Sequence, residues 1–182
     1  ASLAVSYNGL EGYGASLQDA LTRAWRPYEA VGIQGPDGEY QQLSTTLLQI
    51  ENEFYGTIRP KRTIISGERP LHALRQRGVE YVEVRCMDLD PFEAVGINAS
   101  TARFLDVFLL HCLLSPSPAD TPAEIAALGR NQHRTAAHGR QPGLTLERGG
   151  RDVALVDWAA ELLEACGPIA RRLDQHHGGQ AH

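Results

Sequence analysis

The most informative segment of the chain reads Leu47-Leu48-Gln49-Ile50-Glu51-Asn52-Glu53-Phe54-Tyr55. Apolar and polar residues alternate along it, and successive side chains of a β-strand point to opposite faces of a sheet. The segment therefore predicts a strand at residues 47–55 with one apolar and one polar face. The apolar face would carry Leu48, Ile50 and Phe54, and the polar face would carry Gln49, Glu51, Glu53 and Tyr55.

A second strand is predicted at residues 79–88. Its two faces divide in the same way: Val82, Val84 and Cys86 share one face, while Tyr81, Glu83, Arg85 and Met87 share the other. If the two strands are neighbours, their charged residues line one polar surface, because such residues cannot enter a dry core without partners.

Carboxylates interleaved with arginine admit two interpretations. Carboxylate oxygens are Mg²⁺ ligands, and a guanidinium group grips phosphoryl oxygens in a fork, so the surface suits a divalent metal and a phosphate. The same pattern is typical of an exposed antiparallel sheet face with ordinary cross-strand ion pairs. The residue types alone leave both interpretations open.

The basic segment Arg59-Pro60-Lys61-Arg62 contains the only lysine of the chain. It fits either a solvated turn or a set of contacts to a phosphate or a carboxylate. Nucleic-acid binding is not favoured, because the run is short, aromatic residues do not interleave with it, and the net charge is −5.

The composition is typical of globular proteins, with 42% hydrophobic and 21% charged residues among 182. The longest apolar run, residues 104–114, is interrupted by Asp106 and His111 and is too short to cross a bilayer, so no membrane association is predicted. The three cysteines are widely spaced and form no Cys-x-x-Cys pair. This usage indicates free thiols in a reducing cytoplasm.

Periodicity and capping signals predict the remaining elements. Residues 1–14 are expected to be irregular, and Ser16 is expected to cap a helix over residues 16–28. A hairpin turn is predicted at 35–38 and a short helix at 70–77. Three longer helices are predicted after them: a core helix at 101–114, a helix that follows a capping box at Thr121 and Glu124, and a helix from about 151 that kinks at Gly167-Pro168.

Strands that come first and helices that follow predict the α+β class with a mainly antiparallel sheet. We expect residues 1–182 to form a single partial domain. Its strand-rich part would span residues 16–92 and its helical part residues 100–175.

Several blocks of sequence, in order and spacing, closely resemble the bacterial glutamate–cysteine ligase (γ-glutamylcysteine synthetase) family. The resemblance covers roughly residues 25–150, and its main blocks are residues 48–55, Ile58-Arg59-Pro60-Lys61-Arg62, Ser66-Gly67-Glu68, residues 78–85 and Asp88-Leu89-Asp90-Pro91-Phe92. The resemblance implies a glutamine-synthetase-like fold, in which an antiparallel sheet curves into a funnel with helices packed outside. It also implies an enzyme that uses ATP and Mg²⁺ to join glutamate to cysteine through a γ-glutamyl phosphate, in the first step of glutathione synthesis.

The resemblance also implies roles for single residues. Glu83 aligns with a metal-binding carboxylate of the family, Arg85 with an arginine that steadies the transferred phosphoryl group or the glutamate, and Tyr55 with a tyrosine of the cysteine-binding region. For four more residues within the family motifs, chemistry suggests the role: metal or substrate contacts for Glu51 and Glu53, and phosphate or substrate contacts for Arg59 and Lys61.

Members of this family are far longer than 182 residues, and several of their metal-binding carboxylates precede the matched region. We therefore expect this chain to be the later half of a catalytic domain, inactive without the preceding segment as its partner. Two other classes of function stay open: a noncatalytic nucleotide- or amino-acid-binding module with the same fold, and a protein-interaction piece. Magnesium-dependent nucleotide binding would separate the first two classes from the third.

Overall fold

A computed structural model describes residues 3–179 of the chain. The chain divides into two compact units, residues 1–87 and 88–182. Across the described residues, helices accompany two separate two-stranded antiparallel sheets, which confirms the α+β class and the antiparallel pairing. The strands form two ribbons in this part of the chain and not one curved sheet. None of the described helices has the length and apolar character that a membrane span requires.

The first unit is built around a small apolar core. Its elements are α1 (Leu10–Thr22), α2 (Arg26–Val31), a 3₁₀ turn (Glu51–Glu53), β1 (Ile58–Lys61), α3 (Pro70–Arg77) and β2 (Tyr81–Val84). The core brings together residues from distant parts of the unit: Val5, Tyr13, Leu17, Ala20, Leu48, Phe54, Leu71 and Leu74. The helix predicted at residues 70–77 is confirmed at both ends.

The prediction for the first helix is wrong at both ends. Residues 10–14 are helical, and α1 stops at Thr22, before α2 begins at Arg26. Two glycines near the start lower the helix propensity of this segment, but burial of Tyr13 and Leu17 outweighs that cost. Ser16 lies inside the helix, where its hydroxyl donates to the Gly12 carbonyl at 2.8 Å and accepts the Ser6 amide at 3.3 Å, so it does not cap α1.

Residues 47–55 do not form a strand, which corrects the central prediction from sequence. Leu48 and Phe54 are buried as expected, but Ile50 is exposed and Glu51–Glu53 form the 3₁₀ turn. The turn is held by local hydrogen bonds, including one from the Gln49 amide to Glu53 Oε2 at 2.6 Å. These bonds replace the ladder that a strand would need.

The strand that pairs with β2 is β1, within the basic segment that sequence analysis treated as a turn or a contact site. The ribbon is antiparallel, with Arg59 opposite Glu83 and Lys61 opposite Tyr81. Pro60 lies in the middle of β1, opposite Val82. A proline has no amide hydrogen to donate to a neighbouring strand. It is therefore tolerated in an edge strand such as β1, which has a partner strand on one side only within residues 3–179.

The loop before α3 is closed by an ion pair from the Ser66-Gly67-Glu68 block. Two guanidinium nitrogens of Arg77 donate to the Glu68 carboxylate, each at 2.8 Å from one oxygen. Arg77 also donates to the Thr63 carbonyl at 2.8 Å. The hydrogen bond from Arg77 lowers the pKa of Glu68. This block therefore has a structural role in the first unit.

The predicted turn at 35–38 is also confirmed, through a bond from the Gly38 amide to the Gly35 carbonyl at 3.0 Å.

The second unit contains α4 (Ala99–Leu114), α5 (Pro122–His138), β3 (Thr145–Arg148), β4 (Arg151–Ala154) and α6 (Leu155–His177). The cap predicted for α5 is confirmed, since the Thr121 hydroxyl accepts the Glu124 amide at 3.2 Å. The central position expected for α4 is wrong. The helix packs against α6, but Val107 is its one buried residue, and Leu113 and Leu114 are 78% and 73% exposed.

Residues 151–154 were expected to begin the last helix, but they form β4, paired with β3 in a hairpin that sequence analysis missed. Gly149 and Gly150 connect the strands with φ values of 57° and 75°. Two consecutive positive φ angles are those of a tight two-residue hairpin turn, which Gly-Gly adopts without strain. Helix α6 starts directly after β4 and continues through Pro168.

Asn131 ties α5 to the hairpin. It is a buried polar residue, and its side chain donates to the Glu147 carbonyl at 2.7 Å and accepts the Glu147 amide at 2.9 Å. The side chain thus satisfies both backbone groups of a residue on β3. A buried side chain that makes two such bonds is expected to stabilise the unit.

Replacing Asn131 by Ala should lower the free energy of unfolding by about 1–3 kcal/mol, because two backbone groups of Glu147 would lose their partners. Denaturant titration and hydrogen exchange of the Glu147 amide would measure this loss. Gln132→Ala, at an exposed position of the same helix, should change stability by less than about 0.5 kcal/mol. Equal stability of the two variants would contradict this role of Asn131.

Candidate active site

Four charged side chains lie together on one face of the β1–β2 ribbon. Lys61 Nζ is 3.0 Å from Glu83 Oε2, and Arg85 Nε is 3.1 Å from Glu83 Oε1. Arg59 lies opposite Glu83 in the antiparallel register. We call Arg59, Lys61, Glu83 and Arg85 the ribbon cluster.

The ribbon cluster has more positive than negative charge, with three cationic side chains around one carboxylate. The hydrogen bond from Lys61 lowers the pKa of Glu83, partial burial opposes this shift, and the charges of Lys61, Arg85 and Arg59 add to it. Glu83 is therefore ionised at neutral pH. The cluster keeps an excess of two positive charges, which favours the binding of an anion.

Two guanidinium nitrogens of the cluster are buried and lack a hydrogen-bond partner among residues 3–179: Arg59 Nε and Arg85 Nη1. Buried polar groups in proteins nearly always have partners, so each unsatisfied donor calls for an explanation. Phosphoryl and carboxylate oxygens are the acceptors that a guanidinium group binds most strongly. The unsatisfied donors and the excess of positive charge therefore both favour a ligand that carries phosphoryl or carboxylate oxygens.

Tyr55 lies beside the ribbon cluster although it is not on a strand. The Arg85 guanidinium carbon is 5.0 Å from the centroid of the Tyr55 ring, a distance typical of a cation–π contact. Tyr55 is 73% exposed, so most of its surface remains free to meet a ligand. The fold brings together two residues that the family resemblance singled out.

Sequence analysis missed Tyr13, which lies on α1 and is 3% exposed. Burial raises the pKa of Tyr13. The charge of Arg59 and a hydrogen bond between Tyr13 and Arg59 lower this pKa, and the charge of Glu51 raises it further. Tyr13 is therefore in contact with Arg59 from behind. The spacing of Tyr13, Leu17 and Ala20 on one helical face could have predicted its burial, if residues 1–14 had been recognised as partly helical.

A cavity of about 400 Å³ adjoins the basic strand. Arg59 and Lys61 line one side of it, while leucines of α1 and α3 line another. The remaining walls come from tyrosines, the 3₁₀ turn and the loop after β1; the lining includes Tyr13, Leu17, Glu51, Asn52, Arg59, Lys61, Arg62, Leu71, Leu74 and Tyr81. Its volume is sufficient for a small organic molecule, and its charge suits an anionic one.

Glu51 and Glu53 do not share a sheet face with Glu83 as the sequence predicted, and their metal or substrate contacts stay a prediction. Glu51 Oε2 accepts the Leu71 amide at 2.8 Å, and Glu53 Oε2 accepts the Gln49 amide. The expectation failed because residues 47–55 are not a strand. Over the part of the chain that the structure describes, no three His, Cys, Asp or Glu side chains lie close enough to hold a metal ion.

Comparisons with known proteins agree on one family. The family model described as glutamate-cysteine ligase matches residues 1–135. The chain is 50% identical over its full length to a glutamate–cysteine ligase of Pseudomonas fluorescens strain Pf0-1 and 52% identical to one of Janthinobacterium sp. strain Marseille. It spans 34% of the length of each of these relatives.

A solved structure agrees as well. The crystal structure of a glutamate–cysteine ligase from Francisella tularensis, in complex with AMP, superposes on 93% of the chain with a TM-score of 0.85 and 39% sequence identity. The superposition covers 34% of that protein. The likeness therefore extends to the fold of nearly the whole chain.

Replacing Lys61 by Met should raise the pKa of Glu83 toward the ordinary value of a glutamate carboxyl, since the Lys61 hydrogen bond is the main cause that lowers it. The ion pair stabilises the fold above the unfolded-state pKa, and this stabilisation is lost as pH falls through the lower folded-state pKa. Carbon-13 NMR titration of the Glu83 carboxyl would measure the shift. Arg62→Met is the matched control, because Arg62 faces Glu80 at 3.8 Å. An unchanged Glu83 titration in Lys61→Met would contradict the assignment.

Proposed function

The chain belongs to the glutamate–cysteine ligase family, and on this basis we propose that it forms part of an ATP-dependent ligase that makes γ-glutamylcysteine from glutamate and cysteine. This reaction is the first step of glutathione synthesis. A noncatalytic nucleotide- or amino-acid-binding module has less support, because relatives that align with the entire chain at about 50% identity bear the name of the ligase.

The ribbon cluster is the observation that carries the proposal. It surrounds one carboxylate with three cations and leaves two buried guanidinium donors unsatisfied. A ligase of this type must hold a triphosphate and a substrate carboxylate close together, although these groups repel each other. Fixed cations with spare donors reduce that repulsion before any chemistry takes place.

The reaction needs two steps, because a free carboxylate has no good leaving group. In the first step, an oxygen of the glutamate γ-carboxylate attacks the γ-phosphorus of ATP, and the bond to ADP breaks. In the second step, the cysteine amine attacks the acyl carbon, inorganic phosphate leaves, and the nitrogen loses a proton. Negative charge shifts among the phosphoryl oxygens in both steps, so positive groups near them lower the barrier.

We propose roles for the cluster and for Tyr55 from the family resemblance and from chemistry, and their positions support these roles. Arg85 is the catalytic cation that steadies the transferred phosphoryl group. Arg59 and Lys61, which line the cavity, bind the anionic groups of the nucleotide or of glutamate. Tyr55, in contact with Arg85, contributes to the site for cysteine. The AMP held by the Francisella protein supports nucleotide binding here.

Glu83 is suited to provide one oxygen ligand to Mg²⁺, which would neutralise charge on the triphosphate. Mg²⁺ commonly binds through one or two carboxylates together with substrate phosphates and water, so a single carboxylate is compatible with such a site. Both oxygens of Glu83 are paired with cations, namely Lys61 and Arg85. Lys61 would therefore have to leave Glu83, and it could then bind a phosphate.

We also propose that the rest of the parent protein packs against surfaces that this chain leaves open. A two-stranded ribbon is only marginally stable alone, and β1 and β2 pair only with each other among the described strands. Behind the ribbon, a cavity of about 380 Å³ is lined by Tyr7, Leu10, Ile58 and Val82, among others. Additional strands would extend the ribbon into the curved sheet of a glutamine-synthetase-like fold and cover its apolar side.

The second unit supports the same proposal. The loop that follows the ribbon exposes three large apolar side chains, Leu89, Phe92 and Val95, and Phe92 is 95% exposed. Exposed apolar surface of this kind commonly marks an interface. The relatives named above are about three times as long as the chain, which leaves enough polypeptide to cover this apolar surface.

A cytoplasmic location is part of the proposal, because glutamate, cysteine and ATP are cytoplasmic metabolites.

Replacing Glu83 by Gln in the full-length parent should reduce kcat at least about 100-fold, since the amide loses the charge that binds Mg²⁺ and orients Lys61 and Arg85. ADP release that depends on Mg²⁺, glutamate and cysteine would measure the loss. Glu39→Gln, at an exposed position of the 35–38 turn region, should retain full activity. Normal turnover of Glu83→Gln would remove Glu83 from the site.

This chain alone should show no ligase activity, because it offers no cluster of carboxylates for a metal within residues 3–179. A mixture with the remaining part of the parent, produced separately, should recover ADP release that depends on cysteine. Strong activity of the chain alone would show that the chain already contains a complete site. If the two parts bind each other but the mixture releases no ADP, the proposed division of the site is contradicted.

A further inference from the structure

We propose that Glu51 is a positioning residue that fixes the wall of the basic cavity through helix α3, and is not a ligand of Mg²⁺. The inference rests on the proposed ligase function, since it assigns a role at that same site. A hydrogen bond from the Leu71 amide to Glu51 lies in the wall of that cavity.

The start of α3 lacks its usual cap. A side chain at the N-cap position normally accepts an amide from the first turn, but Arg69, which occupies that position, has no acceptor oxygen and makes no such bond. Pro70 follows and has no amide hydrogen. Glu51, from a turn twenty residues earlier, provides the missing acceptor, with Oε2 at 2.8 Å from the Leu71 nitrogen. Its negative charge also suits the positive end of the helix.

This bond joins two walls of the cavity that adjoins Arg59 and Lys61. Glu51 and Leu71 both line the cavity, one from the 3₁₀ turn and the other from α3. Leu71 is also buried in the core of the first unit. Loss of the bond would therefore let α3 shift relative to the basic strand, which would change the shape of the space that receives the ligand.

Tyr13 connects the same carboxylate to the ribbon cluster. The charge of Glu51 acts on the Tyr13 hydroxyl, which in turn is hydrogen-bonded to Arg59. Glu51, Tyr13 and Arg59 also line the same cavity, so these three side chains lie along one continuous wall. This arrangement is that of a supporting residue, which acts on the ligand through its neighbours.

Variants of the full-length parent distinguish positioning from metal binding. Glu51→Gln keeps an oxygen that can accept the Leu71 amide, whereas Glu51→Ala removes it. We expect Glu51→Ala to raise the KM of at least one substrate about threefold to tenfold, in line with the loss of one hydrogen bond. It should also speed hydrogen exchange at Leu71. Glu51→Gln should behave nearly as the wild type in both measurements.

The dependence on Mg²⁺ completes the test. Binding of a nonhydrolysable ATP analogue, titrated with Mg²⁺ by calorimetry, should have the same Mg²⁺ midpoint in wild type, Glu51→Gln and Glu51→Ala. A large increase of that midpoint in Glu51→Gln, with loss of turnover, would make Glu51 a metal ligand and overturn the proposal. Faster exchange at Leu71 without any change in KM or in analogue affinity would reduce Glu51 to a helix cap.

The same measurements separate failure of this inference from failure of the proposed function. A wild-type parent that releases no ADP with glutamate and cysteine would contradict the ligase assignment. Hydrogen exchange at Leu71 and binding of the ATP analogue do not require turnover, so they would still test Glu51. Unchanged exchange at Leu71 in Glu51→Ala would overturn the inference whatever the activity of the parent.

Discussion

The candidate site depends on one interaction, the antiparallel pairing of β1 with β2. The register places Arg59 opposite Glu83 and brings Lys61 within 3.0 Å of the same carboxylate. A shift of one residue would move these side chains to the opposite face, because side chains alternate along a strand. The ion pairs and the unsatisfied guanidinium donors all follow from this register. They give the ribbon face an excess of positive charge and two spare donors, which are features that suit an anion.

The core of the first unit contacts the ribbon. Tyr13 packs in that core and contacts Arg59, while Leu71 anchors α3 near the same cavity. A short ribbon does not hold charged side chains in place by itself, so the helices provide the rigidity. The hydrogen bond from the Leu71 amide to Glu51 belongs to this support. The charged face and the apolar core are therefore one structural unit.

Helix α4 is one of the elements of the chain with exposed apolar surface. Helix α4 is apolar on most sides but is covered by α6 on one of them, and it leaves Leu113 and Leu114 exposed. The sequence predicted a helix in the middle of a core, because its residues are apolar nearly all round. In the proposed ligase, this exposed surface would contact additional polypeptide, for which the coverage of 34% of the relatives leaves room.

Local signals were sufficient for several elements. Pro70 marks the start of α3, Thr121 caps α5, and the periodicity of the following residues predicts the rest of these helices. The family resemblance depended on short ordered blocks, and these also predicted Glu83, Arg85 and Tyr55 as site residues. The strand assigned to residues 47–55 was wrong because the same alternation of apolar and polar residues also fits a turn with local hydrogen bonds.

By itself, the sequence determined the α+β class, the capped helices, the family and the residue types that gather at the ribbon, because these depend on local patterns and on motif order. Only the tertiary structure decided that β1 is the partner of β2 and that Glu51 binds the Leu71 amide. Both are contacts between residues about twenty or more positions apart. Such contacts depend on which competing partners the packed chain brings within reach, and no local pattern records that choice.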